Sequence, residues 1–550
     1  MIETGEAPFL ERYPYFPFLL SVTPYSPLQE VIDNQGLDQD IQEIQADIVY
    51  IFGLGIEVYH DVVKSWLEKE SHRQVVFIEQ NLGVIGLYLE QNKLDEVFDN
   101  PRVHLCFSLE NKKIGHLADE VTALFPSESV AVLSLNSYKK RHSSYFSQLK
   151  SALIRRSVIS FAHRQESLHY HRLFRNMLPN FLSLEDSFSP HHMIGSFSKI
   201  PAVIVGAGPS LAESIPFLKT LKDKALLFAG GSTIIALENE GIAPHLAFAI
   251  DPNREEYTRL KNHRFLATPL IFGSRLMHQV LCAFGGPKGY VKTSTGGPFE
   301  AWMEEELDLA GRSLLEEDDS EALSVSIIAL KTAILLGCDP IIFVGLDLAY
   351  RKKDRYCKGL LPSMTLQFEK EKLLKRTAEM PITKKGRKGQ YVETAYKWVM
   401  ESRCLSQIAK AHPEITFIDA TEHGLSIAGV NYTPLEKIGL TETFDLEGML
   451  HTEISIASTF LTKEKIKEPL FRLKESLQTS ALLLDEMIAF PLHPKSIALE
   501  IDLKKELAHD LFLSHLEAHL ASFSDEPVAI WKGCREVLSA YLSTMAEYGV

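Results

Sequence analysis

Ala202-Val203-Ile204-Val205-Gly206-Ala207-Gly208-Pro209-Ser210-Leu211 is the stretch that decides the fold. Four consecutive apolar residues without alternation read as a strand covered on both faces, as in a parallel sheet flanked by helices. Gly206 and Gly208 then allow a tight turn and a close approach of backbone to a ligand. Pro209 suits a first helical turn, where no amide hydrogen need be donated. Ser210 and Glu213 have capping-box spacing, so a helix is expected to open at Leu211. Amides at such a turn face outward and favour an anion, for which a nucleotide phosphate is the natural guest. Leu211 occupies the third glycine position of the dinucleotide fingerprint, so this turn is a different one. The same spacing also fits a tight strand–helix connection with no ligand.

The pattern repeats outward from this point. Further strands are expected at Ala225–Ala229, Leu246–Ile250, Leu270–Phe272, Ile341–Val344 and Ile415–Ile418, with helical periodicity at Leu211–Leu221 and Ala322–Leu336. Apolar strands alternating with helices indicate a mostly parallel, doubly wound, Rossmann-like sheet. Nearer the N-terminus, Asp47–Phe52 ends in Gly53-Leu54-Gly55, and Val75–Ile78 is closed by Glu79, with a third strand at Val103–Phe107. That second glycine pair mimics a nucleotide site, but two glycines alone fit a structural turn as well. The expected organisation is α/β in class: a smaller α/β domain over residues 1–143 and a helical connector rich in Arg and His over 144–198. The central Rossmann-like domain follows over 199–440, and a helical C-terminal domain over 441–550. No internal repeat of fixed period is visible.

Composition narrows the function classes. The chain has 550 residues, 45% of them hydrophobic, with 57 Lys and Arg against 72 Asp and Glu, a net charge of −15. Sequence-independent nucleic-acid binding needs clustered cations in excess, so no nucleic-acid partner is expected. No stretch approaches the roughly 20 apolar residues of a membrane span. The acidic, proline-interrupted N-terminus does not read as a signal peptide, which suggests a cytoplasmic protein. Cys106, Cys282, Cys338, Cys357, Cys404 and Cys534 are widely spaced, with no CxxC pair, and read as reduced and structural.

Two carboxylates follow central strands, Asp251 (with Pro252 and Asn253) and Asp347 (after Gly345 and Leu346). Ligands of open parallel sheets bind beyond the carboxyl ends of the strands, which places both aspartates toward the crevice of the glycine turn. They suit a ribose, a proton or a metal ion; alternatively each braces a neighbouring loop. Tyr350 and the basic run Arg351–Arg355 follow Asp347, and a second basic run spans Lys384–Lys388, which reads as a solvated loop or as cations for a diphosphate. Asp419-Ala420-Thr421-Glu422-His423-Gly424 follows the last strand, with His423 as a possible base and Glu422 as its partner. His245 precedes a strand and so sits at the wrong end of the sheet for chemistry.

In order along the chain, the GLG turn with VVFIE, then PAVIVGAGPSL, LAFAIDPN, LLGCDPIIFVGLDLAY and IDATEHGLSIAG resemble the motility accessory factor (Maf) glycosyltransferases. Their central domain is shared with archaeal 6-hydroxymethylpterin diphosphokinases of the MptE-like kind. The GAGPSL turn also resembles the donor-binding turn of bacterial sialyltransferases. The resemblance implies transfer of a nonulosonic, sialic-acid-like sugar from a CMP-sugar donor to a serine or threonine of a protein acceptor such as a flagellin or another surface protein, with no metal cofactor required. It places Gly206, Gly208, Pro209, Ser210, Asn253 and Thr421 around the cytidine phosphate. Asp251, Asp347, Tyr350 and Glu422 become the catalytic candidates, with Tyr350 as a phosphate donor. Two positions depart from the family: Leu346 stands where a polar residue is common. Arg355–Gly359 holds no histidine where one often occurs, so no general base carries over there.

Two other functions fit the same turn. A diphosphokinase using ATP and Mg²⁺ on a pterin-like alcohol would take Asp251 or Asp347 as metal ligand. A non-enzymatic nucleotide- or sugar-binding scaffold would use the helical tail to grip a partner.

Overall fold

The computed structural model describes residues 8–23, 36–108, 113–261, 267–309, 311–315, 324–351, 354–357, 381–459, 461–521 and 526–550. The described residues form two compact units, one reaching to Arg164 and one from Gln165 onward. The division falls inside the helix Ser143–Leu168. The boundaries read from composition at 143, 198 and 440 therefore do not separate compact units.

The first unit carries four parallel strands: β1 (Ile48–Phe52), β2 (Gln74–Glu79), β3 (Val103–Phe107) and β4 (Val130–Ser134). Their order is β3-β2-β1-β4, so the chain reverses direction between β1 and β4, beside the GLG turn. β4 is the strand that the sequence pattern did not single out.

The second unit is built on nine strands: β5 (Ser187–Phe188), β6 (Ala202–Val205), β7 (Leu226–Gly230), β8 (Leu246–Ala249), β9 (Leu270–Phe272), β10 (Lys288–Tyr290), β11 (Ile341–Val344), β14 (Phe417–Asp419) and β15 (Asn431–Tyr432). All neighbouring pairs are parallel, in the order β15-β14-β11-β6-β7-β8-β9-β10-β5. A separate antiparallel hairpin, β12 (Pro381–Lys385) and β13 (Tyr391–Ala395), interrupts the sequence between β11 and β14.

The unalternating apolar strands have a direct structural meaning. Successive side chains of a strand point to opposite faces, and here both faces are covered. Val203 and Val205 enter one core, which also contains Leu227, Ala229, Ile342 and Val344. Ala202 and Ile204 enter another, with Leu226, Phe228, Ile341 and Phe343. The helix Val325–Leu335 covers the second face, with Ile327, Ile328 and Leu330 buried.

The C-terminal residues are helical, as the loss of strand signals predicts. They do not stand apart, however. Leu470, Leu473, Leu477 and Leu484 of the helix Lys463–Ala489, and Leu538, Tyr541 and Met545 of the helix Pro527–Glu547, share the core that covers Val203 and Val205. The end of the stretch read as a helical connector instead contributes β5 as an edge strand and the short helical turn Pro190–Met193. Among the described residues, no helix is long and apolar enough to cross a membrane. None of the six cysteines is in a disulfide.

Candidate functional site at the sheet reversal

From β6 the chain steps outward through β7, β8, β9 and β10, then returns to lay β11 on the other side of β6. Such a reversal opens a crevice beyond the carboxyl ends of the two strands. Register pairs Val205 with Val344, so the glycine turn after β6 meets the Gly345-Leu346-Asp347 turn after β11. The Gly206 amide donates to the Val344 carbonyl at 2.8 Å and the Gly208 amide to the Gly345 carbonyl at 2.9 Å. A Cβ on either glycine would lie 2.6 Å from the Gly345 carbonyl oxygen. The two glycines are thus demanded by the neighbouring turn, whatever ligand is bound.

Pro209 occupies a β-turn closed by the Leu211 amide on the Gly208 carbonyl at 3.0 Å, just ahead of the helix Leu211–Leu218. The expected capping box does not form. Ser210 makes no side-chain cap; its hydroxyl and its amide both donate to Asp347 Oδ2, at 2.8 and 3.2 Å. Glu213 instead receives Arg351 at 2.7 Å and lies 3.8 Å from His423. In place of a phosphate, the turn holds a carboxylate from the next strand.

Asp347 is 2% exposed, and its second oxygen, Oδ1, has no hydrogen-bond partner among the described residues. Burial pushes its pKa from 3.8 up to about 6, against the hydrogen bonds from Ser210 and the charges of Arg387 and Arg351. The residue lines a cavity of about 300 Å³ together with Ala349, Tyr350, Arg351, His423, Gly424 and the hairpin residues Gln390–Glu393. His423 is held below its ordinary pKa by burial first and by Arg351 next. It is therefore mostly neutral near pH 7.

The glycine turn of the first unit makes an instructive contrast. Glu79 is fully buried, and both its oxygens are satisfied: Oε2 by the Leu54 amide at 2.9 Å and the Tyr138 hydroxyl at 2.7 Å, Oε1 by the amides of Gln80 and Asn81 at 2.8 and 2.7 Å. Gly53 has φ +99°, and a Cβ there would meet Tyr138 and Leu135, which fill the space over the turn. Both turns hold a carboxylate, but of the two only Asp347, a residue of the cavity lining, has an oxygen without a hydrogen-bond partner among the described residues.

The remaining sequence candidates divide. Tyr350 lines the cavity, its amide bonded to the Glu393 carbonyl at 2.8 Å and its ring 4.8 Å from that of Trp398. Thr421 is buried, and its hydroxyl accepts the Leu346 amide at 3.2 Å, so it braces the Asp347 turn. Glu422 turns away toward Lys388 and the Tyr432 hydroxyl (2.8 Å), and these donors hold its carboxyl below the ordinary range. That makes Glu422 a poor proton acceptor.

Asp251 does not join the site. It follows β8, three strands from β11, a separation of about 14 Å at normal strand spacing. Its Oδ1 accepts from the Asn253 amide at 3.2 Å and from Asn253 Nδ2 at 2.5 Å, so the pair closes its own turn. The expectation that both aspartates border one crevice fails because the intervening strands carry Asp251 outward. His245 is buried at the amino end of β8, its Nδ1 accepting the Leu227 amide at 2.9 Å, and burial lowers its pKa to about 4.

Arg387 is the residue that sequence reasoning missed. The run Lys384–Lys388 read as a solvated loop or as cations for a diphosphate, and Lys384, Lys385 and Lys388 are exposed. The Arg387 side chain is only 4% exposed and pairs with Asp419, itself 2% exposed, at 2.5 Å. Its guanidinium also donates to the carbonyls of Thr421 and Leu425 at 2.8 and 2.7 Å, and to that of His423. The signal was present: Gly386 and Gly389 between two strand-like runs mark a hairpin tip. Of the basic run after Asp347, Lys352 and Lys353 lie outside the described residues, and the Arg355 guanidinium sits over the rings of Tyr356 and Trp398.

Comparison with known proteins matches residues 175–353 to the family described as 6-hydroxymethylpterin diphosphokinase MptE-like. That segment contains the glycine turn, Asp251 and Asp347, and meets the resemblance drawn from those motifs. A solved structure, the MAf glycosyltransferase from Magnetospirillum magneticum AMB-1, is similar at 15% identity over 97% of this chain and 78% of that one, with a TM-score of 0.48. No curated protein matches.

Proposed function

We propose that this chain is a glycosyltransferase of the motility-accessory-factor type, moving a nonulosonic sugar from a CMP-sugar donor to a serine or threonine hydroxyl of a protein. The observation that carries the reading is Asp347, buried at the sheet reversal in the lining of the cavity, with an Oδ1 that has no hydrogen-bond partner among the described residues. A base for hydroxyl attack needs a pKa near the working pH and an unengaged lone pair; Asp347, at about 6, has both.

In this reading the acceptor oxygen attacks the anomeric carbon and the bond to the CMP phosphate breaks. Asp347 Oδ1 takes the hydroxyl proton, and CMP leaves with the bonding pair. Ser210 holds the other carboxylate oxygen and so fixes the direction in which Oδ1 points. The phosphate meets Arg351, whose present partner Glu213 is 47% exposed. Such an exposed pair contributes little and yields readily to a phosphodiester. Gly206, Gly208 and Pro209 shape the turn that carries Ser210, while Thr421 braces the loop of Asp347. The acceptor, on this proposal, is a flagellin-like or other surface protein, and the protein works in the cytoplasm.

A thermal-shift panel tests the reading. A CMP-sugar should raise the melting temperature of the wild type, and radiolabelled sugar should pass to an acceptor protein in a reaction lost in Asp347→Asn. A shift with ATP and Mg²⁺ but with no CMP conjugate would overturn it.

The diphosphokinase description of the matched family keeps a second reading in view. It would need Mg²⁺ between phosphates, held by one or two carboxylates. Asp347 can offer one oxygen, but Asp251, about 14 Å away, cannot share the same ion. ATP-dependent diphosphorylation of a hydroxymethylpterin would establish this alternative.

A further inference from the structure

The β12–β13 hairpin has little reason to exist as a structural element. Every residue of β12 except Ile382 is exposed, and an isolated two-stranded hairpin is at best marginally stable in water. Yet it is tied down at several points. At its tip, the Arg387 guanidinium grips Asp419 and three carbonyls of residues 421–425, and the Arg387 amide donates to the Gly424 carbonyl at 2.9 Å. Along β13, the Thr394 hydroxyl donates to the Leu348 carbonyl at 2.6 Å, and the Glu393 carbonyl accepts the Tyr350 amide. Both anchors fall on the two loops that form the cavity of Asp347.

What these anchors hold in place is Gln390-Tyr391-Val392-Glu393, four consecutive residues along one side of that cavity. Tyr391 is 80% exposed, so its ring is open to a ligand. An exposed aromatic ring offers a flat apolar surface with a polar tip. Gln390 supplies donors and an acceptor, and Glu393 supplies acceptors only. This combination fits a ring with one apolar C–H face and several hydroxyls at its edge. It does not fit an anionic group, which Glu393 would repel, so the donor's phosphate and its sugar carboxylate both lie away from Glu393.

Resting on the glycosyltransferase reading, we infer that the hairpin forms a sugar subsite: Tyr391 covers a face of the donor's pyranose ring and Gln390 and Glu393 bond its hydroxyls. Arg387 is the positioning residue that fixes the hairpin over Asp347. The nucleotide lies outside this subsite.

The test uses the full chain and three probes: CMP, CMP-N-acetylneuraminic acid and free N-acetylneuraminic acid. Affinities for the first two are measured calorimetrically, and contact with the third by saturation-transfer NMR. Tyr391→Ala, a change at an exposed position, should weaken CMP-sugar binding about tenfold, abolish saturation transfer to the free sugar and leave CMP affinity unchanged. Tyr391→Phe should keep all three. Equal loss of CMP and CMP-sugar binding, or unchanged sugar binding in Tyr391→Ala, would overturn the subsite, as would the absence of any sugar contact in the wild type. Sugar contact that depends on Tyr391 in a protein that binds neither CMP nor its conjugate would sink the CMP-donor reading and leave the subsite standing.

Discussion

Replacing Asp347 by asparagine should make this protein more stable and less able to act. The carboxyl is buried, and its pKa rises from 3.8 to about 6. A shift of about two units corresponds to about 3 kcal/mol of penalty on the ionised form. A raised carboxyl binds its proton more tightly in the folded state than in the unfolded one. Below about pH 4 both states are protonated and no penalty exists; it grows between about pH 4 and 6 and is complete above. Asparagine keeps the shape and an acceptor for the Ser210 hydroxyl, which now donates to Oδ2 at 2.8 Å, but it carries no charge. Asp347→Asn should therefore exceed the wild type by about 3 kcal/mol at pH 7.5 and by only about 1 kcal/mol at pH 4.5. Urea denaturation of both proteins at the two pH values, followed by circular dichroism, measures that difference of differences. A stability gap that does not change with pH, or a variant less stable at pH 7.5, would refute the claim that Asp347 is ionised at a desolvation cost. The same substitution should lower sugar transfer by about 10²–10⁴, the usual contribution of a general base. Stability sacrificed at a working group is a familiar trade.

Other substitutions probe the frame around this group. Gly208→Ala should cost about 1–3 kcal/mol in chemical denaturation, because its Cβ would run into Asp347 Oδ2 and sit 2.6 Å from the Gly345 carbonyl oxygen; Gly115→Ala, in open space on the helix Ile114–Leu124, should gain about 0.5–1 kcal/mol in the same assay. Arg387→Met strands the buried Asp419 carboxylate and should lose about 3–5 kcal/mol, and an undiminished unfolding midpoint would show that the pair is not closed in solution. Glu79→Gln puts an amide NH₂ against backbone amides that now donate to a carboxylate, and should destabilise the N-terminal unit by about 1–3 kcal/mol, read as a lower-temperature unfolding transition.

Much of the fold was legible because strand identity is a short-range property. Ala202–Val205, Ile341–Val344 and Leu270–Phe272 are contiguous apolar runs, and they appear as β6, β11 and β9 with those limits. Lys288–Tyr290 was not legible, since a Lys-Gly-Tyr triplet becomes a strand only when β9 and β5 flank it. The capping box failed for a similar reason. Ser210 and Glu213 have the right spacing, but Asp347, 137 residues away, takes the serine hydroxyl.

The sequence by itself determined the α/β class, the glycine turn and the aspartate after each strand, because adjacent residues set these through local sterics and hydrophobic burial. It could not rank Asp251 against Asp347, or the GLG turn against the GAG turn, since each pair is alike over the few residues that surround it. Tertiary structure decided both. Strand order carried Asp251 three strands outward and brought Asp347 to the reversal. Burial satisfied every oxygen of Glu79 and left one of Asp347 without a partner among the described residues. An unsatisfied lone pair is a property of everything packed around it, so only the folded chain can show where one remains.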